Sequence, residues 1–263
     1  MFEGYGPSRF GQIALWSVAV ATLVFLIVPS LIVIPLSFSG SSLLEFPPRS
    51  LSLRWYAEFF GSFTWMSALR VSLELAALTA ILSVCLGFLT AYGLSKLGGR
   101  AAAIIKALTL APAIIPGILL AIGLFFVLAR VGMLGTLPGL LLGHTVVALP
   151  VVLIVLAPAF ARFDWAQERA ARSLGASWLT TSWQIVLPQM RFSLLTAGLL
   201  AFLTSLDEAV ISIFVGSGEN TTLTKIMFLA LRDKVDPTIA AISTLWIVLV
   251  TAVVFALNLR RER

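Results

Sequence analysis

Long apolar runs separated by short polar segments make up most of this chain. Uncharged runs cover residues 10–44, 75–95, 107–129, 131–161 and 237–259, and a sixth apolar region, 192–216, is interrupted only by Asp207 and Glu208. A helix needs about 20 apolar residues to cross the hydrocarbon core of a bilayer. The pattern therefore predicts an all-α integral membrane protein, one domain over residues 1–263, with spans at about 12–37, 69–94, 105–128, 138–160, 192–216 and 237–258.

The composition agrees with this pattern. The chain has 263 residues, of which 59% are hydrophobic and 11% charged, whereas soluble domains carry roughly 25% charged residues. With six spans and the N-terminus inside, eleven Lys and Arg residues fall on the cytoplasmic side and seven on the other side. Because Lys and Arg are retained in cytoplasmic loops, we expect both termini on the cytoplasmic side of the membrane.

The net charge of +6 is spread over several short segments. It indicates attraction to anionic lipid headgroups and no nucleic-acid partner. The lone cysteine, Cys85, lies inside the second predicted span, so no disulfide and no Cys/His metal cluster is expected within the chain. The first apolar run is too long for a signal-peptide core and is expected to be a retained helix.

Two apolar regions have features of their own. The segment "LSLRWYAEFFGSFTW" carries Trp55, Tyr56, Phe59, Phe60 and Trp65, which suit an interfacial segment at headgroup level. The third predicted span contains Pro112 and Pro116, which should kink or break its helix. Such a helix either lines a pathway or packs in a particular way.

A polar segment, "QERAARSLGASWLTTSWQIVLP", lies between the fourth and fifth predicted spans. It reads as a helix, a turn at Gly175, a second helix and a stop at Leu187 and Pro188. The loop, residues 161–191, is longer than a connection between two spans requires. We therefore expect it to form a surface that meets a partner.

This loop resembles that of the permease subunits of bacterial ATP-binding-cassette importers. Their signature is Glu-Ala-Ala, three residues, Gly, nine residues, Ile, one residue, Leu-Pro, and the chain keeps every spacing with Arg169 in place of the glutamate and Glu168 one residue earlier. The resemblance implies coupling helices that dock on an ATPase. The residues expected to dock are Glu168, Arg169, Ala170, Ala171, Gly175, Ala176, Ser177, Ile185, Leu187 and Pro188.

Further segments narrow the resemblance to spermidine/putrescine-type permeases, in particular to the second permease of their pair. They are "SLRWYAEFF", "GHTVVALP", "FLTSLDEAVISIFV" and "TTLTKIMFLALRDKVDPTIAAIST". The resemblance implies a second homologous permease, an ATPase dimer and an extracytoplasmic solute-binding protein as partners. No phosphate-binding G-x-x-x-x-G-K-[ST] motif occurs, so ATP and Mg²⁺ are expected on the ATPase, and this chain is expected to hold no cofactor, metal or catalytic site.

The acids of the fifth predicted span are the candidates for the substrate pathway. On a continuous helix, Thr204, Glu208 and Ser212 form one polar stripe that ends at Gly216, while Asp207 lies about 100° away. Acids inside a membrane normally face a cavity or a partner. We therefore expect Glu208 to face the pathway and Asp207 to be held by a structural partner. The alternative is that both acids pair with basic groups of this bundle or of a partner permease.

The cargo and the remaining polar residues leave alternatives open. A polyamine or similar small cation is the expected cargo, with an amino-acid derivative, a metal or an oxyanion as alternatives. Glu74 and Arg70 are expected to pair four residues apart, and His144 to be a hydrogen-bonded residue near a helix end. A channel or secondary transporter would leave the polar loop without a role, and an intramembrane enzyme would need a cluster of catalytic groups.

Overall fold

The computed structural model describes residues 9–233 and 235–261. In order, the helices are α1 (Arg9–Ser37), α2 (Arg54–Gly61), α3 (Phe63–Lys96), α4 (Gly99–Leu110), α5 (Gly117–Arg130), α6 (Leu137–Ala161), α7 (Trp165–Ser173), α8 (Trp178–Thr181), α9 (Leu187–Asp207), α10 (Val210–Val215), α11 (Leu223–Asp233) and α12 (Thr238–Arg261). Within these residues there are two isolated β-bridges and no sheet. The described chain divides into two compact units, residues 9–66 with 229–261 except Lys234, and residues 67–228.

In the first unit, α12 packs against α1 and α2. The aromatic residues of and beside α2 pack mostly against the protein. Trp55, Phe59 and Trp65 are buried, and Trp55 Nε1 donates to Ser39 O at 2.8 Å. Phe60 is exposed. The position of this segment at headgroup level stays a prediction.

The second unit is built around α6, which packs along α9 and against α5 and α10. One apolar cluster joins α3, α6 and α9, and a second joins α5, α6 and α10. Gly87 of α3 makes a close approach possible, because a Cβ at this position would meet the side chain of Val152 on α6. The buried face of α6 also holds a polar residue, His144.

Four helical segments are long and apolar enough to cross a membrane, and a fifth qualifies if a bent pair counts as one span. The four are Gly11–Ser37, Phe63–Lys96, Leu137–Ala161 and Trp178–Asp207. The apolar segment Thr238–Ala252 of α12 is shorter. The structure therefore has the helices of a multi-pass membrane protein.

The third predicted span is not one straight helix. Gly99–Ala113 and Gly117–Arg130 meet at an angle of 103°, with Pro112 in a short 3-10 turn and Pro116 just before α5. Proline removes a backbone donor and disfavours helical backbone angles at the residue before it. The break predicted at the two prolines is confirmed.

The fifth predicted span differs at both ends. Helix continues from Trp178 to Asp207 through a π-helical segment, Ser182–Val186, so Pro188 does not stop it. A π-turn leaves backbone groups without regular partners, and a proline that lacks N–H is tolerated beside it. At the other end, the helix stops at Asp207 and α10 starts at Val210. A continuous helix over 192–216 was therefore wrong.

Candidate functional site

The loop of residues 161–191, called here the motif loop, has a defined local structure. Asp164 caps α7 by accepting from Ala166 N at 2.9 Å. At the other end of α7, Gly175 has φ +91°, Gly175 N donates to Arg172 O and Ala176 N to Ala171 O. This bond pair is a Schellman motif, which glycine enters at little cost. The predicted helix, glycine turn and second helix are confirmed.

One face of the motif loop is exposed. Leu174 is 89% exposed and Leu179 60%, and Arg169, Ala170 and Arg172 are also exposed. Of the other residues singled out from the motif, Gly175, Ser177 and Pro188 are exposed, whereas Ala171, Ala176, Ile185 and Leu187 are partly buried. The face thus combines two apolar side chains with two guanidinium groups, a composition suited to a protein partner.

Glu168 of α7 points into the protein. It is only 2% exposed, so it does not share the exposed face on which the sequence grouping placed it. Its Oε1 accepts from Tyr92 Oη at 2.8 Å, and its Oε2 forms an ion pair with Lys96 Nζ. Tyr92 and Lys96 both belong to α3. Sequence reasoning missed these two partners because they lie more than 70 residues away from Glu168 along the chain.

Aromatic rings surround this ion pair. Lys96 Nζ lies 3.7 Å from the ring centroid of Trp165. The ring of Tyr92 makes edge contacts with Trp165 and Trp178, each at 5.8 Å between centroids. Phe160 stacks on Trp165 at 5.9 Å. Because Trp165 begins α7 and Trp178 begins α8, both helices of the motif loop contact Tyr92 of α3.

The environment of Glu168 lowers its pKa. Burial alone would raise the pKa, but hydrogen bonds from Lys96 and Tyr92 and the nearby charges of Lys96 and Arg172 outweigh it. A carboxyl with a lowered pKa in the folded state stabilises the fold above its unfolded pKa of about 4.3, and this contribution disappears as the pH falls through the folded value.

We therefore expect the stability deficit of Glu168→Gln to depend on pH. At pH 7 the variant should melt below the wild type, because it lacks the ion pair with Lys96. As the pH falls below about 4.3 and then through the lower pKa of the folded carboxyl, the two melting curves should converge, because the wild-type carboxyl becomes protonated. Thermal melting in detergent at a series of pH values measures this. A deficit that stays constant from neutral to acid pH would contradict the expectation.

The second candidate site is the break between α9 and α10. Glu208 Oε1 accepts from Ile211 N at 2.9 Å, and Asp207 is exposed. The carboxylate of Asp207 makes no hydrogen bond or ion pair with the described part of the chain. The structural partner expected for Asp207 is therefore not found among the described residues. Thr204 Oγ1 donates back to Leu200 O at 2.8 Å. The predicted stripe is therefore divided, because the helix that would carry it ends at Asp207.

His144 joins the two sides of the break. Its Nδ1 lies 2.8 Å from Ser205 Oγ on α9, and its Nε2 lies 3.1 Å from Ser212 Oγ on α10. Ser205 Oγ is also 3.4 Å from Thr79 Oγ1 of α3. His144, Ser205 and Ser212 are all buried. The expected hydrogen-bonded histidine is confirmed, but it lies in the second turn of α6 and inside the protein.

Both serines have a second partner in this network. Ser212 Oγ donates to Glu208 O at 2.9 Å, and Ser205 Oγ donates to Thr79 Oγ1. His144 lies within hydrogen-bond distance of both hydroxyl groups. One side chain of α6 thus fixes the residues before and after the break.

The ammonium group of Lys225 caps the C-terminal end of α10. Lys225 Nζ donates to Gly216 O at 2.6 Å and to Ile213 O at 3.2 Å, which satisfies carbonyls at a helix end. Burial lowers the pKa of Lys225. The predicted pair of Arg70 and Glu74 is not among the ion pairs of the described residues, and both side chains are exposed.

Comparison with known proteins gives consistent relationships. Residues 83–262 match the family model of the binding-protein-dependent transport system inner membrane component. The chain is 30% identical over 239 residues to the putrescine transport system permease protein PotI of Escherichia coli K12, covering 88% of this chain and 85% of that one. It is 30% identical over 206 residues to the spermidine/putrescine permease PotC of Haemophilus influenzae, covering 78% and 80%.

The fold is also that of a solved importer chain. A chain from the crystal structure of a bacterial ABC transporter that imports the acidic polysaccharide alginate matches with a TM-score of 0.71. The two chains are 15% identical, and the match covers 98% of this chain and 99% of that one. Members of the matched family are transport subunits of the bacterial inner membrane and not enzymes. The chain therefore belongs to the family of binding-protein-dependent transport system inner membrane components.

Proposed function

We propose that this chain is one of two permease subunits of an ATP-driven polyamine importer. In this proposal it crosses the inner membrane six times with both termini in the cytoplasm, and α12 and the bent α4–α5 pair complete the spans. Its partners are a second permease, an ATPase dimer and an extracytoplasmic binding protein. ATP and Mg²⁺ are bound by the ATPase, because this chain has no phosphate-binding motif.

The observation that carries the proposal is the structure of the motif loop. Its exposed face holds Leu174, Arg169 and Arg172, and the glycine turn at Gly175 fixes the angle between α7 and α8. A rigid surface with an apolar residue among charges is suited to a groove on a partner. We propose that this face docks on the ATPase, with Ala170, Ala171, Ala176 and Ser177 allowing close approach and Ile185, Leu187 and Pro188 joining it to α9.

The proposed cargo is a putrescine- or spermidine-like cation. Relatives that are 30% identical over most of the chain carry polyamines by name. At the break between α9 and α10 this chain has Asp207, an exposed carboxylate within an apolar span, and beside it Glu208. Carboxylates in such a position attract a cation. We propose that these two acids and Thr204 line the pathway. Ser212 contributes indirectly, through its contact with His144.

The test is uptake of labelled spermidine and putrescine by cells that express the complete importer, with and without the cells' ATP supply. We expect ATP-dependent uptake in the wild type. In Gly175→Leu uptake should be lost, because a leucine is strained at φ +91° and disturbs the docking face. The matched control is Gly132→Leu, which has φ +69° and equally free space; it should retain uptake.

Three outcomes would count against the proposal. No uptake of either polyamine by an assembled wild-type complex would exclude this cargo, and a panel of amino-acid derivatives, metal ions and oxyanions would follow. Uptake that persists without ATP would favour a channel or a secondary transporter. Equal loss in the Gly175 and Gly132 variants would show that strain, and not docking, caused the effect.

A further inference from the structure

Glu168 has an unusual position for a residue of a docking helix. It is among the largest fully buried side chains of the chain, whereas the next residue, Arg169, is exposed. Adjacent helical residues lie about 100° apart around the helix axis. The charges of Glu168 and Arg169 therefore point in different directions, one into the protein and one away from it.

The partners of Glu168 hold α7 against the C-terminal end of α3. A buried carboxylate is tolerated only with a charged or hydrogen-bonding partner. Lys96 and Tyr92 supply the ion pair and a hydrogen bond, and both come from α3. Movement of α7 relative to α3 would leave the carboxylate buried without its partners, which is strongly unfavourable. The aromatic contacts of Trp165 and Trp178 with Tyr92 add to this attachment.

Helix α3 continues from this attachment to the candidate pathway. It runs without interruption from Phe63 to Lys96. Thr79, 17 residues before Lys96 and thus about 25 Å away along the helix axis, lies 3.4 Å from Ser205 beside the break. Still nearer the start of α3, Ser72 Oγ accepts from Leu223 N at 2.8 Å. One rigid helix therefore contacts both the motif loop and the network around His144.

We propose that Glu168 is a positioning residue that locks α7 to α3, so that movement imposed on the motif loop is carried along α3 to the break between α9 and α10. The proposal rests on the proposed function, in which an ATPase docks on the exposed face of the motif loop. It divides the charges of α7 into two roles. Arg169 and Arg172 contact the ATPase, whose groove would present carboxylates, and Glu168 transmits its movement.

The experiment uses the complete purified importer in lipid vesicles, with the binding protein and labelled spermidine. Three quantities are measured for each variant: ATPase that co-purifies, ATP hydrolysis and spermidine transport. For Glu168→Gln and Lys96→Met we expect the ATPase still to co-purify and the ratio of transport to hydrolysis to fall about tenfold, within the range typical of coupling between two sites. Tyr92→Phe, which removes only one hydrogen bond, should lower the ratio less.

The charge-exchanged double variant, Glu168→Lys with Lys96→Glu, separates a specific link from general damage. It restores the ion pair with reversed polarity, so the ratio of transport to hydrolysis should recover most of its loss. Arg169→Gln is the matched neighbour on the outer face. It should weaken the binding of the ATPase and leave the ratio of transport to hydrolysis near the wild-type value.

The inference would be overturned by an unchanged ratio in Glu168→Gln, by a charge-exchanged variant no better than either single variant, or by loss of the co-purified ATPase in Glu168→Gln to the same degree as in Arg169→Gln. The last result would make Glu168 a docking residue. Failure of the proposed function looks different, because no ATPase would then co-purify with the wild-type permease. That outcome overturns both proposals, whereas an active wild type with unaffected Glu168 variants overturns only this one.

Discussion

Asp207→Asn is expected to raise the spermidine concentration for half-maximal uptake about tenfold or more. The Asp207 carboxylate is exposed at the end of α9 and bonds to no described residue, so it is free to meet a cation. A hydrogen bond to a charged group contributes about 1.5–3 kcal/mol, and each 1.4 kcal/mol corresponds to about a factor of ten in affinity. Uptake measured over a range of spermidine concentrations in cells with equal amounts of permease gives the number.

Glu208→Gln is the neighbouring comparison. Glutamine keeps an oxygen that can accept from Ile211 N and so preserves the cap that Glu208 provides at the start of α10. It removes only the charge, and we expect a smaller effect than in Asp207→Asn. Asp207→Glu, which retains the charge, should recover much of the affinity. If Glu208→Gln causes the larger loss, the cation meets Glu208 first, as the stripe on a continuous helix suggested; near-normal uptake by both variants would remove both acids from the pathway.

The two acids show how far a sequence pattern can be followed. The apolar runs predicted a helical membrane protein, and an acidic pair inside an apolar run predicted a polar site. The stripe of Thr204, Glu208 and Ser212 assumed that the helix continues through Asp207. It does not continue: α9 ends at Asp207, and the Glu208 side chain accepts from Ile211 N in the first turn of α10. Glutamate is common inside helices, so its use as a cap depends on surroundings that one sequence does not reveal.

The motif loop shows that contacts between residues far apart in the sequence are not predictable from a local pattern. The glycine turn at Gly175 was predictable, because left-handed backbone favours glycine and the residues around it form helices. The inward direction of Glu168 was not predictable, because it depends on Lys96 and Tyr92 of a distant helix. Pro188 was predicted to stop the helix because proline usually does so. The π-helical segment before it, which lets the helix continue, has no signature in composition.

His144→Leu is expected both to destabilise the permease and to abolish most uptake. The substitution leaves Ser205 and Ser212 buried with their imidazole partner removed. Ser212 keeps its bond to Glu208 O and Ser205 its contact with Thr79, so each serine loses one of two partners, at a cost of about 1 kcal/mol per hydrogen bond. The two serines lie on opposite sides of the break. Melting of the purified complex in detergent measures the stability, and spermidine uptake per assembled complex measures the function.

A triple variant separates the two effects of this substitution. His144→Leu combined with Ser205→Ala and Ser212→Ala removes the polar groups together, and replacement of both partners by apolar groups can be nearly neutral for stability. We expect the triple variant to recover the melting temperature and not the uptake, because α9 and α10 are then no longer held by a shared directional contact. His144→Gln, which offers one donor and one acceptor, should recover part of the uptake. Full uptake in the triple variant would show that His144 only stabilises the fold, whereas its loss in a complex of normal stability would place the orientation of α10 relative to α9 among the requirements of transport.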